Sequence, residues 1–460
     1  MLIEKHEKDN ILVRIPGLTL RLSPALAAID QVLEDEELFC RIRADLAQRY
    51  PQTLTAGRHS TPVEVILRML AVRHLYDLSY TQTELQVADS LVLRQFCRVY
   101  FQAVPDHTTL CKWAQEIQPE TLQVFNDRLV ALAVRAQLTR GRKLRMDGTV
   151  VETNIHYPTD SSLLADSVRV LGRTLQRAKA LIQDQSGLAK ETFRNRTRSA
   201  KRTARQIGRL SRGGPVRTQT AYRKLVRIAR ATVRQAEQVF AALQEQVPAA
   251  GQALVETLTI FLPRTQQVIA QTVRRVFHGQ QLPPDEKLVS LFEPHTDIIR
   301  RGKPRKPTEY GHKVWLGEVE GGFVSQYRVL EGNPSDDTQW APTLERHCEQ
   351  FGHPPWQASA DRGVHSADNE ALAETLQVKR IILPQPGKKS AARQHHERQR
   401  WFRRGRDYHA GVEGRISVID RKHGFKHCRQ RGEKGFASWV GWAVIANNLT
   451  KLGQGLAAAV

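Results

Sequence analysis

The sequence predicts a mixed α/β domain that follows an all-helical N-terminal domain and is interrupted by a helical insertion. Residues 1–138 carry helix-start signals followed by apolar residues at helical spacing. Short apolar runs typical of strands occur around Asp147 and again in the last third of the chain. The stretch between them has helical spacing. We therefore predict an N-terminal domain at 1–138, an α/β domain at 139–159 and 286–460, and an insertion at 160–285.

Three start signals divide the N-terminal domain into short helices. Thr61 precedes Pro62 and Glu64, which gives an N-cap residue, a first-turn proline and an acid at the third position. Residues 81–84 repeat the capping-box pattern, and Asp106 is a further N-cap candidate. A DNA-binding helix-turn-helix unit and a plain helical bundle both fit these short helices.

The insertion combines an apolar seam with a dense basic stretch. The seam alternates spacings of four and three, which is typical of a coiled coil. Its members are Leu164, Val168, Leu171, Leu175, Ala178 and Ile182. A second helix is predicted through 225–236, and a third at 254–276 with an interruption at Pro263. Residues 173–234 contain 18 Lys or Arg and two acids. This predicts a basic, partly coiled-coil surface, although a solvated hairpin without a ligand has the same pattern.

Strands and helices alternate along the α/β domain. The predicted segments after residue 310 are a hairpin with a Gly-Gly turn, a helix near 338–350, a strand ending at Asp361, a helix capped by Ser366, a strand at 380–383, a basic loop at 388–406, a helix from Tyr408 and a closing helix at 436–456. Together with the strand around Asp147, this order predicts a mixed sheet with helices packed on it.

The charge of the chain indicates a polyanionic partner. Its 460 residues carry a net charge of +22, the pI is about 10.1, and the cations are clustered. The five cysteines are scattered without a Cys-x-x-Cys pair, which favours a reducing compartment over a disulfide or zinc scaffold. No signal peptide, membrane-spanning run or phosphate-binding glycine motif is evident. We therefore expect a cytoplasmic protein without a membrane or nucleotide partner.

Three carboxylates lie where a metal-dependent nucleic-acid enzyme would need them. Asp147 is on the first predicted strand, Asp361 ends a later strand, and Glu413 is on a late helix. Mg²⁺ prefers oxygen ligands, and two such ions can activate the nucleophile and stabilise the leaving oxygen in phosphodiester cleavage. Each acid also has a simpler explanation: a hairpin turn at Asp147, a strand-end turn at Asp361 and a surface ion pair at Glu413.

Other acids are rivals for two of these positions. Glu397 and Glu433 are alternatives to Glu413. Asp336 and Asp337 are alternatives to Asp361, but they follow a Gly-Asn-Pro loop and are therefore the weaker candidates.

The order of elements and acids resembles the ribonuclease H-like catalytic domain of DDE transposases. In that fold the first acid is on the first strand, the second follows the fourth strand, which pairs beside the first, and the third is on a late helix. The chain is similar to bacterial insertion-sequence transposases with a helical N-terminal domain. The segments that carry the likeness are 146–154, 360–366, 412–415, 78–81, 106–110 and 309–313. Related elements commonly have Arg four positions before the third acid, whereas this chain has His409.

The resemblance implies a transposase that binds element ends and catalyses metal-dependent DNA cleavage and strand transfer. Asp147 would bridge two Mg²⁺ or Mn²⁺ ions, with Asp361 on one ion and Glu413 on the other. The implied partner is double-stranded DNA, both terminal inverted repeats and target, bound by a homodimer in a cytoplasmic, nucleoid-associated complex. Candidate DNA contacts are Lys313, Arg362, Arg403, Arg404, Arg406, Arg415, Arg421 and Lys422.

Two other functions fit the same residues. A catalytically inactive DNA-binding protein derived from a transposase would keep the fold without the chemistry, although all three acids are intact here. A hydrolytic nuclease would cut DNA without joining it to a target.

Overall fold

Two units make up the chain, and the second is inserted into the sequence of the first. Unit 1 comprises Met1–Thr153 and Gly311–Val460, and unit 2 comprises Asn154–Tyr310. The computed structural model describes residues 1–7, 21–49, 52–57, 59–182, 188–211, 215–246, 248–300 and 307–459. No helix in these ranges is long and apolar enough to cross a bilayer.

The N-terminal part of unit 1 is helical, as predicted. Its described helices are α1 (Pro24–Val32), α2 (Glu36–Ala47), α3 (Val63–Leu75), α4 (Tyr80–Asp89), α5 (Leu91–Phe96), α6 (His107–Glu116) and α7 (Pro119–Arg135). The predicted N-cap of α6 is confirmed, because the Asp106 carboxylate accepts hydrogen bonds from the backbone N–H groups of Thr108 and Thr109.

Two of the predicted helix starts are wrong in detail. Helix α3 has Pro62 at its N-cap and no side-chain cap. The N–H groups of Val63 and Glu64 instead donate to carbonyls of residues 3 and 4, so the N-terminal segment replaces the expected threonine cap. In α4 the capping box is formed by Ser79 and Gln82, two residues earlier than predicted.

The sheet is mixed, and its central strand is β1. The strands are β1 (Lys143–Glu152), β2 (Asp297–Arg300), β3 (Thr308–Val319), β4 (Phe323–Val329), β5 (Gln357–Ser359) and β6 (Arg380–Ile382). Their order is β2-β3-β1-β5-β6, with β4 paired to β3. β3 is antiparallel to β1 and β4, whereas β5 is parallel to β1 and to β6. The predicted Gly-Gly hairpin is confirmed, with positive φ angles at Gly321 and Gly322.

Helices of unit 1 cover both faces of this sheet. Leu144 and Met146 of β1 belong to one apolar cluster with α12 (Trp340–Phe351), α13 (Ala367–Thr375) and the N-terminal helices. Val151 of β1 belongs to another, formed with residues of two C-terminal helices. Because side chains alternate along a strand, Arg145, Asp147 and Thr149 share the second face.

The C-terminal segment is more helical than predicted. The expected basic loop at 388–406 is wrong, because it forms α14 (Ala391–Arg398) and the start of α15 (Arg400–His423). Ser390 caps α14, and Arg393 pairs with Glu397 one turn later, so local contacts support a helix despite the high charge. The closing helix α16 (Gly432–Ala458) is confirmed.

Unit 2 is largely a helical bundle in the residues described. Its helices are α8 (Asp160–Ile182), α9 (Thr197–Leu210), α10 (Pro215–Gln246) and α11 (Pro248–Thr272), followed by a π-helical turn at Val273–Phe277. All six seam residues of α8 are buried in the bundle core. The predicted interruption at Pro263 is wrong, because α11 continues through it. Packing of α11 against α8 and α10 outweighs the missing backbone hydrogen bond.

Candidate active site

Strand β1 places Asp147 on the sheet face that α15 covers. The alternation puts Leu144 and Met146 on the opposite face, where both are buried. Across the antiparallel ladder, Asp147 stands opposite Leu316 of β3. Its Oδ1 atom accepts a hydrogen bond from the N–H of Gly148 at 2.7 Å.

Strand β5, which leads to Asp361, pairs with β1, which carries Asp147. The parallel register pairs Leu144 with Ala358 and Arg145 with Ser359. Continued by two residues beyond the last pair, this register would align Asp147 with Asp361 on the same face, where neighbouring strands are about 4.8 Å apart. Asp361 lies just after β5 and precedes the 3₁₀ turn Arg362–Val364. Its side chain is 70% exposed, so the acid stands at the rim of the sheet.

Helix α15 supplies a third side chain to this rim. The Nε2 atom of His409 is 3.0 Å from Oδ1 of Asp361. Glu413 lies four residues further along the same helical face, about 6 Å along the axis. It is exposed, whereas His409 is buried.

An ion network fixes α15 against the sheet. Glu318 of β3 is 1% exposed and accepts hydrogen bonds from Arg145 at 2.7 Å and from Arg415 at 3.1 Å. Arg145 also donates to the carbonyl of Tyr408, and a Cβ at Gly411 would collide with its guanidinium. The network therefore anchors α15 on either side of Glu413.

The rival acids have other contacts. Burial would raise the pKa of Glu397, but hydrogen bonds from Lys389, from the N–H of Gln385 and from Arg393 outweigh burial and lower it to about 2. Asp336 forms an ion pair with Lys313 at 2.7 Å.

Asp336 also lies on the other side of the sheet from Asp147. A Cβ at Gly148, whose side of β1 faces away from Asp147, would lie 3.1 Å from the Asp336 carboxylate. Glu433 is exposed in the first turn of α16, and Asp337 is in the 3₁₀ turn before α12.

The candidate DNA contacts fall into two groups. Lys313 and Arg415 have ion-pair partners within unit 1. The remaining candidates are exposed: Arg362, Arg403, Arg404, Arg406, Arg421 and Lys422. Their roles in DNA binding stay predictions.

The donor chemistry of the rim fits a hard divalent cation. Mg²⁺ usually takes one or two protein carboxylates and completes its shell with water and substrate phosphates. Asp147 and Asp361 supply such a pair. In the described ranges, no three His, Cys, Asp or Glu side chains form a ready metal-binding group, so the structure does not bring Glu413 together with this pair.

Two family models match the chain. One, described as a transposase domain (DUF772), matches residues 20–116, and the other, described as a transposase DDE domain, matches residues 372–453. Both are transposase models, and together they support an insertion-sequence transposase of the DDE class. The second match contains His409 and Glu413 but begins after Asp361. Neither a curated protein nor a solved structure gives a significant match.

Sequence reasoning missed the contacts that organise the site. In the sequence, His409 stands out only as a departure from a related signature, and no local motif marks Glu318. One signal was available for Glu318, because an acid inside a strand with apolar neighbours needs a buried cationic partner. No local pattern indicates which arginines supply it, since Arg145 and Arg415 are 270 positions apart.

Proposed function

We propose that this transposase cuts DNA at its element ends and joins the freed 3′ ends to target DNA, with Asp147, Asp361 and Glu413 as the catalytic acids. The observation that carries the proposal is the parallel pairing of β1 with β5, whose register, continued by two residues, supports a position for Asp361 beside Asp147. The third lies on the helix whose His409 contacts Asp361.

The strand arrangement supports a ribonuclease H-like catalytic fold. Leaving out β2, which lies in the inserted unit, the order is β4-β3-β1-β5-β6. The first three strands in sequence are antiparallel neighbours, and the next two run parallel to the first. The acids then fall on the first strand, after the fourth and on a late helix, as the resemblance implies.

The acids would hold Mg²⁺ or Mn²⁺ as a two-metal site. Such ions, when bound, supply Lewis-acid activation of the attacking oxygen and neutralise charge on the leaving oxygen. Asp147 and Asp361 would provide the first ligands at the rim. The Glu318 network would keep α15, which carries Glu413, in place against the sheet.

Double-stranded DNA is the proposed partner, and unit 2 provides a surface for its phosphates. Exposed cations of the segment from α8 to α10 form no ion pair with an acid among the residues described. They are Arg173, Arg177, Lys190, Arg194, Arg198, Lys201, Arg202, Arg205, Arg209, Arg217, Arg223, Lys224, Arg227, Arg230 and Arg234. Such cations contribute affinity through phosphates and carry little sequence information.

Recognition of the inverted repeats falls to α4–α6, and a homodimer would join paired ends.

Strand transfer with an oligonucleotide of the element end and a supercoiled plasmid tests the proposal. We expect joined product with Mg²⁺ or Mn²⁺, none with EDTA, and losses of at least about 100-fold for Asp147→Asn, Asp361→Asn and Glu413→Gln. Glu374→Gln, an exposed acid on α13, serves as the matched control and should act like the unchanged protein.

The alternative functions give different products. Nicked or linear plasmid without joined product would indicate a nuclease. DNA binding without cleavage would indicate an inactive copy. If Glu433→Gln abolishes joining while Glu413→Gln does not, Glu433 is the third acid. Unchanged joining by Asp147→Asn would overturn the catalytic assignment.

A further inference from the structure

We propose that His409 is a positioning residue that holds the carboxylate of Asp361 for metal binding. This inference rests on the proposed function, since it concerns one of the proposed metal ligands. Its basis is a contact between residues 48 positions apart: Nε2 of His409 lies 3.0 Å from Oδ1 of Asp361. The histidine is 9% exposed, whereas the side chain of Asp361 is 70% exposed.

The ring of His409 donates through one defined nitrogen. An ionised carboxylate only accepts hydrogen bonds, so Nε2 must carry the proton in this contact. The other ring nitrogen, Nδ1, is buried without a hydrogen-bond partner among the described residues. A proton there would leave a buried N–H without an acceptor, which costs free energy. The geometry therefore fits a ring that donates to Asp361 from Nε2.

A hydrogen bond to one carboxylate oxygen suits a metal ligand. Asp361 stands in a turn after β5, and its side chain is exposed, so a contact from a buried ring limits the rotamers that it can adopt. The hydrogen bond fixes one oxygen of the carboxylate. Ligating carboxylates in metal sites are commonly held by such outer contacts, and their loss typically weakens metal affinity by about 10–100-fold.

The backbone around His409 is itself held against β1. Arg145 donates to the carbonyl of Tyr408, and Gly411 packs against the same guanidinium. Arg145 is two residues from Asp147, so one arginine fixes the helix that holds Asp361 and the strand that carries Asp147. His409 thus contacts Asp361 from a helix segment that Arg145 holds against the strand of Asp147.

Three substitutions separate positioning from packing. Gln places an amide N–H close to the position of Nε2, Asn is the matched amide that is too short to reach, and Leu fills the space without donating. The probe is Mn²⁺ alone, titrated into the full chain and followed by the loss of the free-ion EPR signal. We expect His409→Gln to bind within about threefold of the unchanged protein, and His409→Asn and His409→Leu to bind about tenfold or more weakly. The Mn²⁺ concentration for half-maximal strand transfer should shift in the same order.

The outcomes distinguish this inference from the proposed function. Equal Mn²⁺ affinity in His409→Leu and the unchanged protein, or equal losses in His409→Gln and His409→Leu, would overturn the positioning role. Asp361→Asn is the reference variant. If it loses Mn²⁺ affinity while the His409 variants do not, the metal site stands and only the positioning role fails. If Asp361→Asn itself binds Mn²⁺ normally, the proposed metal site fails.

Discussion

The cations of the two units have different surroundings. In unit 1, arginines and lysines around the sheet lie against carboxylates: Arg145 and Arg415 share Glu318, and Lys389 and Arg393 share Glu397. In unit 2, the exposed cations between α8 and α10 lack acidic partners among the described residues. Much of the excess charge of the chain therefore lies on cations without an acidic partner among the described residues. The carboxylate-paired cations of unit 1 stabilise the fold, and the exposed cations of unit 2 are available to bind a polyanion.

The largest effect on stability should come from Glu318→Gln. It leaves two arginines near the sheet without their shared charge, and loss of one partner from a buried ion network typically costs about 3–5 kcal/mol. All seven tryptophans belong to unit 1, so denaturant unfolding followed by tryptophan fluorescence reports this unit. Glu374→Gln should change the unfolding free energy by less than about 0.5 kcal/mol. A change below about 1 kcal/mol for Glu318→Gln would mean that the network is not structural.

Neutralising cations of unit 2 should affect DNA binding and not folding. For Lys201→Gln, Arg202→Gln and Arg205→Gln combined, we expect the slope of log affinity against log salt to fall in magnitude by about 2–3, because each lost phosphate contact contributes about 0.9. The control removes the same charge from exposed sites of unit 1, with Arg41→Gln, Lys379→Gln and Lys434→Gln. If the two triple variants give the same slope of log affinity against log salt, the cations of unit 2 have no special role in DNA binding.

The contribution of Glu397 should depend on pH. Its pKa in the folded chain is about 2, below the value of about 4.3 in an unfolded chain. The resulting stabilisation is present above about pH 4.3 and is lost as pH falls towards 2. The difference in unfolding free energy between the unchanged protein and Glu397→Gln should therefore be largest at neutral pH and shrink below pH 4. A difference that does not vary with pH would show that the ion pairs of Glu397 are not the cause.

The smallest effect should come from an exposed ion pair of unit 2. Arg169 pairs with Asp166 three positions earlier on α8, and its side chain is 42% exposed. Arg169→Gln should shift the midpoint of thermal unfolding, followed by helical circular dichroism, only slightly. The corresponding loss of unfolding free energy should not exceed about 0.5 kcal/mol. A loss above about 1 kcal/mol would indicate that surface cations of unit 2 also serve its fold.

Local signals predicted most elements, and distant contacts account for the errors. The strand around Asp147, the Gly-Gly hairpin and the cap at Asp106 depend on neighbouring residues, and the structure confirms them. The start of α3 depends on carbonyls of residues 3 and 4, and the continuity of α11 through Pro263 depends on the bundle around it.

Distant contacts also limit what the sequence predicts about the candidate site. The three acids were chosen by their order along the chain, and their catalytic roles stay predictions. The neighbours of Asp361 and Asp147 follow from strand register and from helix packing. Neither strand register nor helix packing is encoded in a local sequence pattern, and register in particular is set by the whole sheet.

Iron-directed cleavage of the protein tests most directly whether the acids converge on one metal site. Fe²⁺ bound in place of Mg²⁺, with ascorbate and peroxide, produces radicals that cut the backbone close to the ion. The account predicts cuts near residues 147, 361 and 409–413, suppressed by excess Mg²⁺ and lost in Asp147→Asn and Asp361→Asn. Cuts confined to other segments, or the same cuts in both variants, would contradict it.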